Sequence, residues 1–285
     1  MEVQIVAVPY DSGALEVRMG AGPGRLLELG LEGRLAARGH TVQVSTLAAP
    51  DGPLEAEVAT AFALNRLLSV AVSDAHEAGR FPVVLTGNCI SALGTVAGLE
   101  GRNGVIWFDT HGDFNTPDTT TGGFLDGMAL ATLTGRCWRG LAGGIPGFVP
   151  VADQDAVLVG TRDLDPAEAE LLETSQVRIL SPAEAPTGLP LVADDLARRI
   201  DSVYVHLDLD VMDPKDGTAN QFSMPDGLRL ETLEGVIADL VARLRVGAVA
   251  LSAYDPAADH DGRAGEAAVR VVVGLVDEVA RWRAG

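Results

Sequence analysis

Two short acidic runs have the residue types and spacing to do chemistry. Asp109-Thr110-His111-Gly112-Asp113 sets three ligand-type side chains at alternate positions, and His206-Leu207-Asp208-Leu209-Asp210 repeats the spacing. In extended chain alternate side chains share a face, so Asp109, His111 and Asp113 can converge, and Asp208 and Asp210 can join them. Each run follows an apolar stretch, Gly104-Val105-Ile106-Trp107-Phe108 or Val203-Tyr204-Val205, which reads as a buried strand presenting its polar end. Four carboxylates in one apolar neighbourhood repel one another and shift toward the neutral acid unless cations hold them, because buried unpaired charge is costly. A single Asp after a strand ordinarily caps a helix or turn. Two such runs, with five potential ligands at two strand ends, point instead to bound metal. One imidazole with four carboxylates suits hard or borderline divalent ions, Mn²⁺ first, and the number of donors suits two ions.

The elements that must position these groups are legible as alternation. Short apolar runs occupy Val3 to Val8, Thr41 to Val44, Pro82 to Leu85, Gly104 to Asp109, Ala156 to Gly160, Val177 to Leu180, Val203 to Leu209 and Ala248 to Ser252. Being apolar throughout, they read as buried parallel strands. Between them Val58, Ala61, Leu64, Leu68 and Val72 step by three or four after an Asp51-Gly52-Pro53 start signal. Val269, Val272, Val273, Val276 and Val279 do the same near the end; both are amphipathic helices. The pattern predicts an α/β fold, three layers α/β/α around a mainly parallel sheet of about eight strands, with function at the carboxyl ends of the strands. A closed eight-stranded barrel is the competing arrangement. No linker or repeat divides residues 1–285, so a single domain is expected.

Composition narrows the partners. The 21 basic and 40 acidic residues give a net charge of −19, and Lys215 is the only lysine. Such a field repels phosphate backbones and anionic lipid, so neither nucleic acid nor membrane is expected as a partner. The start Met1-Glu2-Val3-Gln4-Ile5 lacks the basic region of a signal peptide, and no apolar run approaches the roughly 20 residues of a membrane span. A soluble, cytoplasmic protein is the expectation. The two cysteines, Cys89 and Cys137, cannot form a disulfide framework. Cys137 reads as core packing.

Order and spacing of four blocks resemble the arginase and agmatinase family of ureohydrolases. That family carries G-G-D-H after one strand, D-A-H-x-D-x-x-T-P-x-T-T after the next, G-x-R-D-x-D-P, and S-x-D-x-D-x-x-D-P. This chain has Thr86-Gly87-Asn88-Cys89, then Asp109-Thr110-His111-Gly112-Asp113-Phe114-Asn115-Thr116-Pro117-Asp118-Thr119-Thr120, then Gly160-Thr161-Arg162-Asp163-Leu164-Asp165-Pro166, then His206-Leu207-Asp208-Leu209-Asp210-Val211-Met212-Asp213-Pro214. The resemblance implies a binuclear Mn²⁺ centre. Cys89, Asp109, Asp113 and Asp208 would hold one ion, and His111, Asp109, Asp208 and Asp210 the other, with Asp109 and Asp208 bridging. Asp109 and His111 would thereby belong to the catalytic apparatus. Two close ions acidify a shared water, and the resulting hydroxide attacks an amidine or guanidine carbon. A homotrimer or homohexamer acting on a small molecule is also implied.

Several positions depart from the family pattern. Cys89 stands for a histidine; as a thiolate ligand at a helix start it would favour Zn²⁺ or Fe²⁺, and the alternative is a small buried cysteine. A Cys here, with G-D-F-N-T-P, looks like the subgroup that hydrolyses N-hydroxyarginine. In Thr121-Gly122-Gly123-Phe124-Leu125-Asp126-Gly127, Gly122 and Phe124 replace a Ser and an Asn that in arginases help bind the amino-acid end of substrate. Asp126 replaces a histidine proton shuttle, and two readings stand open: a proton relay with a raised pKa, or a solvated loop acid. Asn115 and Asp165 remain as contacts for a substrate's polar end. In Leu251-Ser252-Ala253-Tyr254-Asp255-Pro256, Ala253 occupies the place of the glutamate that grips the guanidinium, with Asp255 as a candidate substitute. His206, in the family's Ser position, reads as an orienter of ligands. His40 and His76 read as solvated helix-end residues, and His260 as a loop histidine. The expected activity is hydrolysis of a linear C–N bond in a guanidino, hydroxyguanidino or formimidoyl compound. The alternatives are a metal-dependent amide deacetylase on the same fold and a metal-stabilised binding protein without turnover.

Overall fold

Parallel pairing of the apolar runs builds one open sheet. The computed structural model describes residues 1–50 and 56–285. Its strands are β1 (Glu2–Val8), β2 (Tyr10–Asp11), β3 (Ala14–Leu15), β4 (Thr41–Thr46), β5 (Phe81–Thr86), β6 (Asn103–Phe108), β7 (Ala156–Val159), β8 (Arg178–Leu180), β9 (Ser202–Asp208) and β10 (Val246–Ser252). Eight of them form the main sheet in the order β4-β1-β5-β10-β9-β6-β7-β8, every neighbouring pair parallel. The ends of that order stay apart, so the barrel alternative is excluded. β2 and β3 make a small antiparallel ribbon after β1, too short to show as periodicity in sequence.

Period-two alternation sorts the strand residues between two cores. Val3, Ile5, Val83, Leu85, Ile106, Phe108, Val203, Val205 and Leu207 face one layer, which is closed by the helices Leu31–Ala37, Ala185–Leu196, Leu230–Val241 and Arg263–Ala284. Val6, Val84, Val105, Trp107, Tyr204 and Ala248 face the other, beneath the helices Glu57–Glu77, Ala92–Ala97 and Ala129–Leu133. The fold is therefore three-layered α/β/α, and burial on both faces is why its inner strands are mainly apolar, whereas the edge strand β4 is largely exposed and polar. The start signal at Asp51-Gly52-Pro53 lies outside the described residues. Among the described residues, the helix Glu57–Glu77 is long and apolar enough by length and composition to cross a membrane, but it packs as a core helix. Ala61, Phe62, Leu64, Leu68 and Val72 on it are buried in the second core.

His40 is a second correction. It is buried, not solvated, with Nε2 2.9 Å from Asp277 Oδ1 of the C-terminal helix. That partner lies too far along the chain for local reading to find. His76 is half-buried, and burial together with the charges of Arg245 and Arg283 lowers its pKa.

Candidate metal centre

The four central strands β5, β10, β9 and β6 end side by side, and their carboxyl-terminal residues meet behind one cavity. After β5 the chain turns through Gly87, where any Cβ would lie 2.4 Å from the Tyr10 carbonyl oxygen and 2.7 Å from the Gly20 nitrogen. Only glycine lets this loop pack so close, and the turn delivers Cys89 into the site. The Cys89 thiol donates to Asp208 Oδ2 at 3.2 Å. At the end of β6, Asp109 Oδ2 accepts the Trp107 indole N–H at 3.0 Å, and Oδ1 accepts the His111 backbone N–H at 2.7 Å. Asp208 Oδ1 accepts the Asp210 backbone N–H at 2.9 Å, which ties the acids of the β9 end into one short turn. His111 Nδ1 lies 3.2 Å from Asp109 Oδ1 and 3.5 Å from Asp210 Oδ2.

Two sets of donor atoms fall within 4.8 Å of one another: Cys89, Asp109, His206 and Asp208, and Asp109, His111 and Asp210. Asp109 belongs to both. Asp208 belongs to the first alone, and Asp113 to neither, although Asp113 lines the same cavity. Asp113 is held in the left-handed region at φ 47°, and its buried Oδ2 has no hydrogen-bond partner. A strained residue with an orphaned carboxylate oxygen is costly unless something cationic occupies the space beside it. One thiol, imidazole nitrogen and several carboxylates are a donor set that fits divalent transition ions.

The metal-free electrostatics are correspondingly unfavourable. Burial, then the charges of Asp109, Asp126, Glu168 and Asp210, push Asp113 well above the carboxylate range. Burial, then Asp210 and Asp109, do the same to Asp208, and burial with Asp109 brings Asp210 to about 6. Burial alone would lower His111, but the hydrogen bond to Asp109 and the charges of Asp210, Asp109 and Asp163 overcome it and hold the imidazole at about 9. Burial, then Asp208 and Asp113, push the Cys89 thiol well up. Burial and these carboxylates keep Cys89 a thiol on its own, and a bound ion would supply the compensating charge its thiolate needs.

The cavity in front of this cluster has a volume of about 270 Å³. Asn115, Phe124 and Asp165 line it as the sequence reading places them, but Asn115 Nδ2 already donates to Asp165 at 3.1 Å, and Asp165 also caps the helix Pro166–Glu173. Asp126 lines it too and is buried, so the solvated-loop alternative is wrong: its carboxylate accepts from the Asn88 amide and, at 3.2 Å, from the Ile90 backbone N–H. Burial pushes Asp126 up to about 7 against those hydrogen bonds. Asp255 does not line the cavity. Its Oδ1 accepts the Ala257 backbone N–H at 2.9 Å in its own loop, so spacing by two did not carry it to the face of Ala253. Ala253 itself is on the wall.

Sequence reasoning passed over four wall residues. Glu168 accepts the Phe114 N–H at 2.7 Å. Asn220 donates to the Ala253 carbonyl at 2.8 Å and to Asp210 Oδ2 at 3.3 Å. Met19 and Phe222 add apolar surface. Of these only Glu168 had a signal, standing three residues after the capping Asp165. His206, fully buried, has its pKa lowered to about 3 by burial.

An open parallel α/β sheet whose central strand ends carry acid, imidazole and thiol donors around a small cavity defines an α/β protein with a candidate metal centre. The model of the Arginase family matches residues 1–276. An arginase from Brevibacillus brevis is 34% identical over 75% of this chain and 77% of its own length. An N(omega)-hydroxy-L-arginine amidinohydrolase from Streptomyces lavendulae is 32% identical over 86% of each. The crystal structure of an arginase from Bacillus cereus superposes with a TM-score of 0.86 at 25% identity, covering 96% of this chain and 98% of that one. This chain belongs to the arginase family, and it is a hydrolase acting on carbon–nitrogen bonds in linear amidines.

Proposed function

We propose that this chain is a binuclear metal hydrolase whose preferred substrate is an amidine less basic than arginine, with a hydroxyguanidine as the best fit. The observation that carries this reading is Ala253 on the cavity wall, with the Asn220 amide beside it and no carboxylate in the position from which arginases grip a guanidinium. Asn220 already donates to Ala253 and Asp210 and accepts the Phe222 N–H, so this stretch of wall offers no anion to pair with a full cation. The relationship to the Streptomyces lavendulae amidinohydrolase supports the same choice. Among the described residues no Arg or Lys lines the cavity, so a substrate with two carboxylates would meet Asp163, Asp165 and Glu168 without a counter-charge.

Cys89, Asp109, Asp113 and Asp208 would hold one ion, and His111, Asp109, Asp208 and Asp210 the other. Two divalent ions, Mn²⁺ or, because of Cys89, Zn²⁺ or Fe²⁺, supply Lewis acidity and an acidified water when bound. The chain's own groups do the rest. Asp126, with a pKa near neutrality and an orientation fixed from Asn88 and Ile90, accepts a proton at a carboxylate oxygen and returns it to the leaving amine. Phe124 and Phe222, with ring centroids 6.1 Å apart, shield the site from water. Asn115 and Asp165 orient the polar end of substrate. The working unit is a homotrimer or homohexamer in the cytoplasm. Kinetics on arginine, N-hydroxyarginine, agmatine, guanidinobutyrate and formimidoylglutamate, with metal content matched, test the reading. N-hydroxyarginine is expected to lead, and efficient hydrolysis of arginine overturns it.

A further inference from the structure

Two departures from the family pattern meet in one donor cluster. Where the family has histidine after β5 this chain has Cys89, and where the family has serine on β9 it has His206, so an imidazole lost at one donor position is regained beside it. His206 lies on the same face of β9 as Tyr204 and Asp208. Its ring stacks on Trp107 at 3.6 Å between centroids, 16° from coplanar. Nδ1 is 2.8 Å from the Tyr204 hydroxyl, and Nε2 is 3.1 Å from Ser252 Oγ, which is 3.5 Å from Cys89 Sγ. A histidine ligand is characteristically anchored through its other ring nitrogen, and Tyr204 supplies that anchor.

Resting on the metal-centre reading above, we infer that His206 is a direct ligand of the ion shared by Cys89, Asp109 and Asp208. A ring nitrogen of His206, Cys89 Sγ and a carboxylate oxygen from each acid all lie within 4.8 Å of one another. Ligand bonds of about 2.0 to 2.3 Å would place tetrahedral donors roughly 3.3 to 3.8 Å apart, so the cluster has to contract to close a shell. The Ser252 hydroxyl turns from imidazole to thiolate as this happens. His206 thereby takes the place that the proposed set gives to Asp113, whose carboxylate is not among these clustered donors. A site with one sulfur, one imidazole and two carboxylate donors selects Zn²⁺ or Co²⁺ over Mn²⁺ at this position, whereas the His111, Asp109 and Asp210 group keeps the harder preference.

The test uses the full chain loaded with Co²⁺ or Zn²⁺. Metal content, the thiolate-to-cobalt charge-transfer band and X-ray absorption counts of sulfur and imidazole neighbours are read for wild type, His206→Asn, His206→Ser and the double variant Cys89→His/His206→Ser. Asn keeps a partner for Tyr204 but lacks the distal nitrogen, so it separates ligation from packing. Expected are loss of one ion and of the charge-transfer band in both single variants. Recovery of two ions, with a shift toward Mn²⁺, is expected in the double variant. Unchanged stoichiometry, band and imidazole count in His206→Asn, in a folded protein, overturn the inference and leave the metal centre standing. A wild-type chain that binds no metal overturns both.

Discussion

Asn88 donates its side-chain amide to the Asp126 carboxylate, joining the residue next to Cys89 with the acid on the opposite lip of the cavity. The Ile90 backbone N–H reaches the other carboxylate oxygen at 3.2 Å. Both bonds favour the charged form, and burial outweighs them, which leaves Asp126 at about 7. Asp126→Asn should lower kcat by roughly 10²- to 10⁴-fold, the usual span for a general acid–base, with metal content unchanged. Asn88→Ala removes a bond to the anion, so the ionisation that controls kcat should move to higher pH. A kcat–pH profile identical to wild type in Asn88→Ala would show that Asp126 does not carry the proton.

The metal-free protein should lose stability as pH rises. Asp210 at about 6 and Asp126 at about 7 bind protons in the native state that an unfolded carboxyl, with its pKa near 4, has released. Burial and neighbouring carboxylates raise Asp113 and Asp208 as well. The native state is therefore the more protonated one above pH 4, and stability falls through that window. His111, held at about 9, contributes stability that is complete below its unfolded pKa of 6.5 and lost as pH passes 9, so it adds to the same trend. One pKa unit corresponds to about 1.4 kcal/mol. The sum over these buried groups is several kcal/mol, or a Tm lower by on the order of 10 °C at pH 8 than at pH 5. Calorimetry of chelated and metal-loaded protein at both values checks this. Bound metal should flatten or reverse the slope, because ions neutralise the cluster that titrates.

Much of this was legible in sequence because buried parallel strands write themselves as unbroken apolar runs. Ile106-Trp107-Phe108 and Val203-Tyr204-Val205 could not be anything but central, and the polar residues that follow them had to lie at the sheet's carboxyl edge. Asp109, His111, Asp208 and Asp210 were found for that reason. Contacts made across the sheet were not legible. His40 meets Asp277 through a partner 237 residues away, and Asn220 reaches Asp210 from a loop with no periodicity of its own. Asp255 failed in the opposite way: a two-residue offset predicts a shared face only in extended chain, and β10 ends at Ser252, before a turn. Asp126 was undecidable locally, since its burial comes from the loop after β5.

Charge neutralisation of buried ligands should be visible in occupancy before it is visible in rate. Asp109→Asn and Asp208→Asn each remove an anionic donor and should strip most bound metal and abolish turnover, with a lower melting temperature in the residual holoprotein. Cys89→Ala should lose one ion, and Cys89→His should keep occupancy while shifting preference toward Mn²⁺. Elemental analysis decides each case. Two ions retained in both Asp variants would contradict the assignment of these acids as ligands, and unaltered content in Cys89→Ala would make Cys89 a packing residue.

Restoring the missing carboxylate should restore the missing substrate. Ala253 is buried at the cavity wall, and its backbone already sits at φ 60°, a strained value for any residue with a Cβ. Glutamate there adds no new backbone strain, since alanine bears the Cβ cost already, and its side chain extends into the cavity beside Asn220. A charge-assisted pair with a guanidinium is worth about 1.5 to 3 kcal/mol, or roughly one to two decades in affinity. Ala253→Glu should therefore lower KM for arginine and agmatine by roughly ten- to a hundredfold, while a hydroxyguanidine, which is less basic and carries the charge only in part, gains less. The comparison is made as kcat/KM ratios between substrates on protein of equal metal content, so that a folding defect cancels. If the ratio of arginine to N-hydroxyarginine does not rise, the wall at Ala253 is not where the amidine group sits.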